Sequence, residues 1–196
     1  MNALLPAELD GQPRPAPMTV AMLRALDDAG LFIEETNRHE LLDGVLLVTP
    51  PPGGEHRKAE RRTTMALAEA LIGAGLHKSL AVQTGGAFQV GEATLLGPDL
   101  MVVRESGMAD TPDAAAIVLM IEIALSSRAF DLGRKAAVYA AAGIAEYWVL
   151  DVAAEAVIVH TRPREGAWGR VETVEGEAVV CATLAPAIAV RACDLF

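Results

Sequence analysis

The sequence predicts a mixed α/β protein, a mixed β-sheet flanked by helices, and three observations carry that expectation. Short apolar runs rich in Val, Ile and Leu recur through the second half, over 100–104, 117–125 and 145–151. Two longer stretches, about 55–76 and 131–142, space their small and apolar residues at helical intervals instead. The order helix, hairpin, helix, several strands, helix, strands then interleaves the two kinds of element, as a sheet covered by helices requires.

Taken in order, residues 1–18 hold Pro6, Pro13, Pro15 and Pro17 and read as an irregular N-terminal arm. Residues 19–196 read as a single domain, since 196 residues that are 52% hydrophobic suffice for a full core. Thr19 caps a helix reaching about Ala29, where Gly30 stops it. Asp43-Gly44 between His39 and Val48 signals a tight hairpin. Pro50, Pro51 and Pro52 break the chain before the long helix, whose stripe of Ala59, Thr63, Ala66, Ala70 and Gly73 suits close packing beside Leu67, Leu71 and Ala74. A strand over 80–90, interrupted at Gly85-Gly86, precedes those over 100–104 and 117–125. Asp131 suits the N-cap of the next helix and Gly143 its stop. Strands follow over 145–151, 156–161 and 170–174, and the chain ends with an apolar run over 188–192.

Composition excludes several classes. Cys181 and Cys193 lack metal or redox spacing, and His39, His56, His77 and His160 form no paired motif. Any metal is therefore expected on carboxylates, which favours Mg²⁺, Mn²⁺ or Ca²⁺ over zinc. The apolar runs fall far short of the roughly 20 residues that a membrane span needs. The N-terminus lacks a basic region and apolar core, so a cytoplasmic protein is expected. A formal net charge of −10 argues against a nonspecific nucleic-acid coat. Arg57, Lys58, Arg61 and Arg62 nevertheless make one basic helical face at i, i+4 spacing, which suits a phosphate backbone as well as a solvated helix surface.

Three charged residues stand where local burial argues against them. Asp99 follows Pro98 at the mouth of an apolar run, and Glu122 interrupts the run from Ile117. If those two strands are adjacent, their carboxylates can converge on one hard cation. Lys135 opens the following helix at the unfavourable end of its dipole, where an anion opposite would stabilise it. Each residue also has an ordinary reading: a turn Asp, a solvent-facing strand Glu, a solvated helical Lys.

Pro98-Asp99 followed by Glu122-Ile123-Ala124 resembles the PD-(D/E)XK nuclease superfamily. The longer run from Glu122 through Asp131, Lys135, Tyr139, Gly143, Glu146, Tyr147 and Trp148 to Asp151 resembles the Uma-type restriction-endonuclease family, bacterial proteins long described as a domain of unknown function. The similarity extends to Arg38 through Gly44, to His56 at the start of the long helix, and to 184–196, so it covers nearly the whole chain from about residue 19.

The resemblance implies a restriction-endonuclease-like core and a Mg²⁺-dependent (or Mn²⁺-dependent) phosphodiesterase. Asp99 and Glu122 would be metal ligands, Glu40 an additional acidic ligand, and Lys135 the catalytic lysine. The superfamily's lysine normally lies two residues past the Glu, where this chain has Ala124; Lys135 matches the branch's own lysine. Leu125 stands where relatives are often acidic, and His39 where they commonly carry Tyr. His56, Arg57 and Arg61 are the candidate nucleic-acid contacts. The expected function is a DNA endonuclease, plausibly a homodimer because a duplex has two strands. The alternatives are a catalytically inactive nuclease-fold binding module and a metal-dependent hydrolase of a small phosphate ester.

Overall fold

The Asp43-Gly44 hairpin is present in the computed structural model of the chain, which describes residues 16–31 and 37–196. Strand β1 (Arg38–Leu42) pairs antiparallel with β2 (Val45–Thr49) across it. Both turn residues adopt positive φ, 51° at Asp43 and 79° at Gly44, the twist a two-residue hairpin demands. Gly44 is also needed for space, because a Cβ there would lie 2.5 Å from the Pro17 Cβ.

The chain divides into two compact units, one built from residues up to Pro51 with Ala87–Gly97, the other from Pro52–Gly86 with Pro98–Phe196. The arm expected over 1–18 lies almost wholly outside the described residues. In the smaller unit, helix α1 (Val20–Asp28) begins as expected, with the Thr19 hydroxyl accepting from the Met22 amide at 3.2 Å. Val20 and Leu23 pack on Leu41. The four-stranded sheet there runs β2-β1-β5-β4, with β4 at Phe88–Val90 and β5 at Thr94–Leu96. Buried Glu40 on β1 accepts a 2.6 Å hydrogen bond from the Gly97 amide.

In the larger unit, helix α2 (Gly54–Gly73) is followed by β3 (Leu80–Thr84), β6 (Leu100–Arg104) and β7 (Ile117–Ala124). A helical run over 128–141 leads to β8 (Glu146–Asp151), β9 (Ala156–Arg164), β10 (Ala167–Glu175), β11 (Val179–Ala182) and β12 (Ala185–Arg191). Six strands form one sheet in the order β10-β9-β8-β7-β6-β3, while β11 and β12 pair separately. Only β7 and β8 are parallel neighbours in the large sheet, and the helical run supplies the crossover that parallel pairing requires. All eight residues of β7 are buried, which explains its nearly unbroken apolar sequence.

One face of this sheet packs Leu100, Val102, Leu119, Ile121, Ile123 and Trp148 against Ala59, Leu67 and Leu71 of α2. Alternation along β7 therefore turns Glu122 away from α2. Four details differ from the sequence reading. The span 80–90 is two strands in different sheets, because positive φ at Gly85 ends β3. The α2 stripe stops at Leu71, and Gly73 and Ala74 are exposed. Helix α2 itself ends at Gly73, with Gly75 at φ 70° just beyond, short of the expected residue 76. The 188–192 run is the end of the β11–β12 hairpin.

On the opposite face, Tyr139, Tyr147, His160 and Trp168 form an aromatic cluster, Tyr147 lying 5.0 Å from Tyr139 and 5.2 Å from His160 between ring centroids. Burial pushes the His160 pKa below its ordinary value, against the raising effect of the Tyr147 and Ile158 backbone contacts. The unfolded chain therefore binds a proton that the folded chain resists, and this stability contribution is complete above about pH 6.5 and lost as pH falls below it. We expect urea midpoints to decline from pH 6.5 toward the lower folded pKa, and His160→Gln to flatten that decline.

Candidate active site

Asp99 ends up beside Glu122 because β6 and β7 are adjacent antiparallel strands, with Leu100 opposite Ile121. Beyond that pair β7 runs on past the start of β6, so Ile123 has no β6 residue paired with it. The Asp99 carboxylate fills that place, its Oδ2 accepting from the Ile123 N–H at 2.7 Å. The same oxygen lies 3.1 Å from Nε2 of His56, on the first turns of α2. With Asp99 ionised, that nitrogen carries the donated proton, because a carboxylate only accepts. The other ring nitrogen, Nδ1, is buried without a hydrogen-bond partner among the described residues, which a bare lone pair tolerates better than an N–H.

Glu122 is held from the helical side. Lys135 Nζ donates to Oε1 at 2.9 Å and the Tyr139 hydroxyl donates to the same oxygen at 2.8 Å. All are buried: Asp99 and Glu122 are 2% exposed, Lys135 4% and Tyr139 0%. A buried carboxylate without such donors would lose several kcal/mol of hydration uncompensated, so the two donors are a condition of its being there.

The local fold that aims these donors is irregular. The helical run starts with a single α turn, α3 (Arg128–Phe130), continues as a π-helical segment (Asp131–Lys135), and ends in α4 (Ala136–Ala141). The Ala136 amide bonds back to the Asp131 carbonyl, five residues earlier, and the Tyr147 hydroxyl donates to that carbonyl at 3.2 Å. The Trp168 indole N–H donates to the Ala136 carbonyl at 2.9 Å. These side-chain donors brace a segment that Gly133 weakens as α-helix. Lys135 and Tyr139, four residues apart, then share one helical face.

Two expectations are corrected here. Asp131 is not the N-cap: it is buried inside the helical run, with its Oδ2 accepting from the Ser127 hydroxyl at 2.5 Å. Lys135 consequently lies past the first turn, and the anion opposite it is the Glu122 carboxylate.

Of the residues singled out from sequence, the structure thus brings Asp99, Glu122, Lys135 and His56 together within the larger unit. His56 is turned to Asp99 and is not part of the exposed basic face. Arg57 and Arg61 are exposed on α2 with Lys58 and Arg62, and the Arg57 guanidinium donates to the Pro52 carbonyl. Glu40 belongs to the smaller unit. Tyr139 was missed as a site residue, although its spacing of four from Lys135 was the available signal. Among the described residues no group of three or more His, Cys, Asp or Glu side chains is gathered to hold a metal ion.

A family model described as "Putative restriction endonuclease", Uma2, matches residues 22–191. The chain belongs to the Uma2 family. Among solved structures, this Uma2 protein is similar to a crystal structure described as a putative nuclease belonging to DUF820 from Anabaena variabilis ATCC 29413. The two share 19% identity with a TM-score of 0.67, over 87% of this chain and 96% of that one. That likeness shows the fold, a mixed sheet flanked by helices of the nuclease-like kind. Comparison with curated proteins finds no match. No helix among the described residues is long and apolar enough to cross a membrane.

The buried ion pair makes a stability prediction. Lys135→Met takes the ammonium away from the buried Glu122 carboxylate and should lower the unfolding free energy at pH 7 by about 3 kcal/mol. Adding Glu122→Leu should recover much of that loss, since the double variant buries no charge at the pair. Urea denaturation of the wild type, both single variants and the double measures the coupling.

Proposed function

We propose that this Uma2 protein is a metal-dependent endonuclease that hydrolyses phosphodiester bonds of DNA. Membership in the family supports nuclease-like hydrolysis. The observation that carries the finer reading is the pair of buried carboxylates, Asp99 and Glu122, with a buried ammonium bonded to one of them. An apolar sheet strand has no structural need of a lysine–glutamate pair, and such pairs seldom add stability over packed apolar residues.

The donor set suits Mg²⁺ or Mn²⁺. Both offered groups are oxygen ligands, and Mg²⁺ is commonly held by one or two carboxylates with waters and substrate phosphate completing its shell. Asp99 and Glu122 would hold the ion, which when bound would polarise a phosphoryl oxygen and lower the pKa of the attacking water. The chain's own residues prepare that chemistry. The Ile123 amide and His56 fix the Asp99 carboxylate before any ligand arrives, which removes reorganisation from the reaction. Lys135 keeps a positive charge beside Glu122 and would stabilise the negative charge developing at phosphorus, in place of the lysine absent at Ala124. Arg57 and Arg61 would follow the phosphate backbone along exposed α2, countering locally a chain whose net charge is −10. A homodimer would give the duplex one such site for each strand.

Supercoiled DNA with Mg²⁺ or Mn²⁺ should be nicked by the wild type. Asp99→Ala and Glu122→Ala should each lower the rate on the order of a thousandfold, the scale of several kcal/mol of lost charge stabilisation. Glu40→Gln, read in the same assay, tests the third acid that the resemblance adds. Metal binding without cleavage of DNA would favour a small phosphate ester as substrate, and neither binding nor cleavage would favour the inactive binding module.

The basic face is tested separately. Arg57→Ala with Arg61→Ala should weaken DNA binding irrespective of sequence and reduce the slope of log K against log salt by about 2. Fluorescence anisotropy across a salt series measures it, and an unchanged slope would remove α2 from the DNA contact.

A further inference from the structure

Two donors share one carboxylate oxygen of Glu122, and they differ in kind. Lys135 brings a charge that the proposed chemistry uses elsewhere, on the phosphoryl group. Tyr139 brings a neutral hydroxyl at the end of a ring locked by packing: it is 0% exposed and meets Tyr147 edge-on at 5.0 Å. Tyr147 is itself tied to the Asp131 carbonyl, inside the π-helical segment that ends at Lys135. The phenol is therefore a fixed donor, whereas the lysine is a flexible four-carbon stem ending in a rotatable ammonium.

We infer that Tyr139 is a positioning residue that retains Glu122 when Lys135 leaves it. If Lys135 were the sole donor to Oε1, swinging its ammonium toward a phosphate would take the hydrogen bond from that buried oxygen, and this loss would oppose the movement. With the Tyr139 hydroxyl on the same oxygen, Oε1 keeps that hydrogen bond and the carboxylate its rotamer, and Lys135 is released to the substrate. Tyr139 thus acts through Glu122 and Lys135 without touching the reacting atoms. This rests on the nuclease reading for its kinetic consequence, and on Glu122 as a metal ligand for its binding consequence.

The test is Tyr139→Phe, which removes the hydroxyl and keeps the ring, made alone and together with Lys135→Gln. Mn²⁺ binding to each full-length protein is read by calorimetry, and cleavage of supercoiled DNA by kcat and KM. Folding is checked by near-UV circular dichroism. We expect Tyr139→Phe to fold, to bind Mn²⁺ roughly fivefold more weakly, and to lose roughly tenfold or more in kcat with KM nearly unchanged, as loss of an interaction needed beyond the ground state requires. In the Lys135→Gln background the same change should have little further effect on kcat, because there is no lysine left to release.

Wild-type kcat and Mn²⁺ affinity in a folded Tyr139→Phe protein would overturn the inference, and so would fully additive losses in the double variant. Should the wild type bind Mn²⁺ but cleave nothing, the nuclease reading fails while calorimetry still decides whether Tyr139 holds Glu122. Should the wild type bind no Mn²⁺ at all, Glu122 is not a ligand and the inference falls with it.

Discussion

A carboxylate inside a sheet strand sets the terms for everything near it. Glu122 is turned away from the α2 face of β7, into a layer covered by the 128–141 helical run, and only 2% of it is exposed there. Its donors must come from that run, so the strand dictates where the helix has to present Lys135 and Tyr139. The π-helical segment follows from the same demand. A wider turn shifts the register of the residues after it, and the Tyr147 and Trp168 side chains hold that turn open by bonding the Asp131 and Ala136 carbonyls. Aromatic residues that look like ordinary core are thereby bound into the geometry of the ion pair.

Burial of charge does not by itself mark a site, and the larger unit shows why. Glu146 is 0% exposed, yet its two oxygens accept from the Trp148 indole and the Thr183 amide, which ties β8 to the turn between β11 and β12. Asp151 pairs with Arg128, a residue half in solvent, and accepts from the Ala154 amide in a turn. Both are satisfied by groups that fix the fold. Asp99 and Glu122 differ in the character of their partners: an imidazole with one ring nitrogen unpartnered, and a buried ammonium. Those are groups with protons or charge to deploy, and they distinguish this pair from its neighbours on the same sheet.

The sheet and its helices were legible because periodicity alone separates 100–104 and 117–124 from 54–73. The Asp99–Glu122 pairing was legible as a condition, adjacency of two strands, which β6 and β7 meet. What escaped was information that only tertiary contacts supply. Asp131 satisfies every local rule for an N-cap, but Ser127 starts the helix a turn earlier and the aspartate is drawn inside. The interruption of the 80–90 run at Gly85-Gly86 was legible, but not that its two halves join different sheets. His56 reads as a candidate nucleic-acid contact alongside Arg57, and helical rotation places it toward Asp99 and leaves Arg57 outward. Tyr139 carries only its spacing of four from Lys135 as a signal, since a tyrosine in an alanine-rich helix reads as packing.

On the proposed reading Lys135 serves in place of a strand lysine, and the same physics allows it. A strand alternates sides with period two, so a lysine at position 124 would share the face of Glu122 and reach it along the strand. That position is a buried alanine, opposite Asp151 in the parallel ladder with β8, and its carbonyl accepts from the Val152 amide. The requirement, however, is for an ammonium within hydrogen-bonding distance of the carboxylate, not for a residue at a given spacing in sequence. A helix crossing over the same face meets it equally well, provided that its register is right. Lys135 delivers the charge from there at 2.9 Å, and the helical origin brings something a strand lysine would not: a second donor one turn further along on the same face. The lysine's move from strand to helix and the presence of Tyr139 on Glu122 are, on this view, one structural solution.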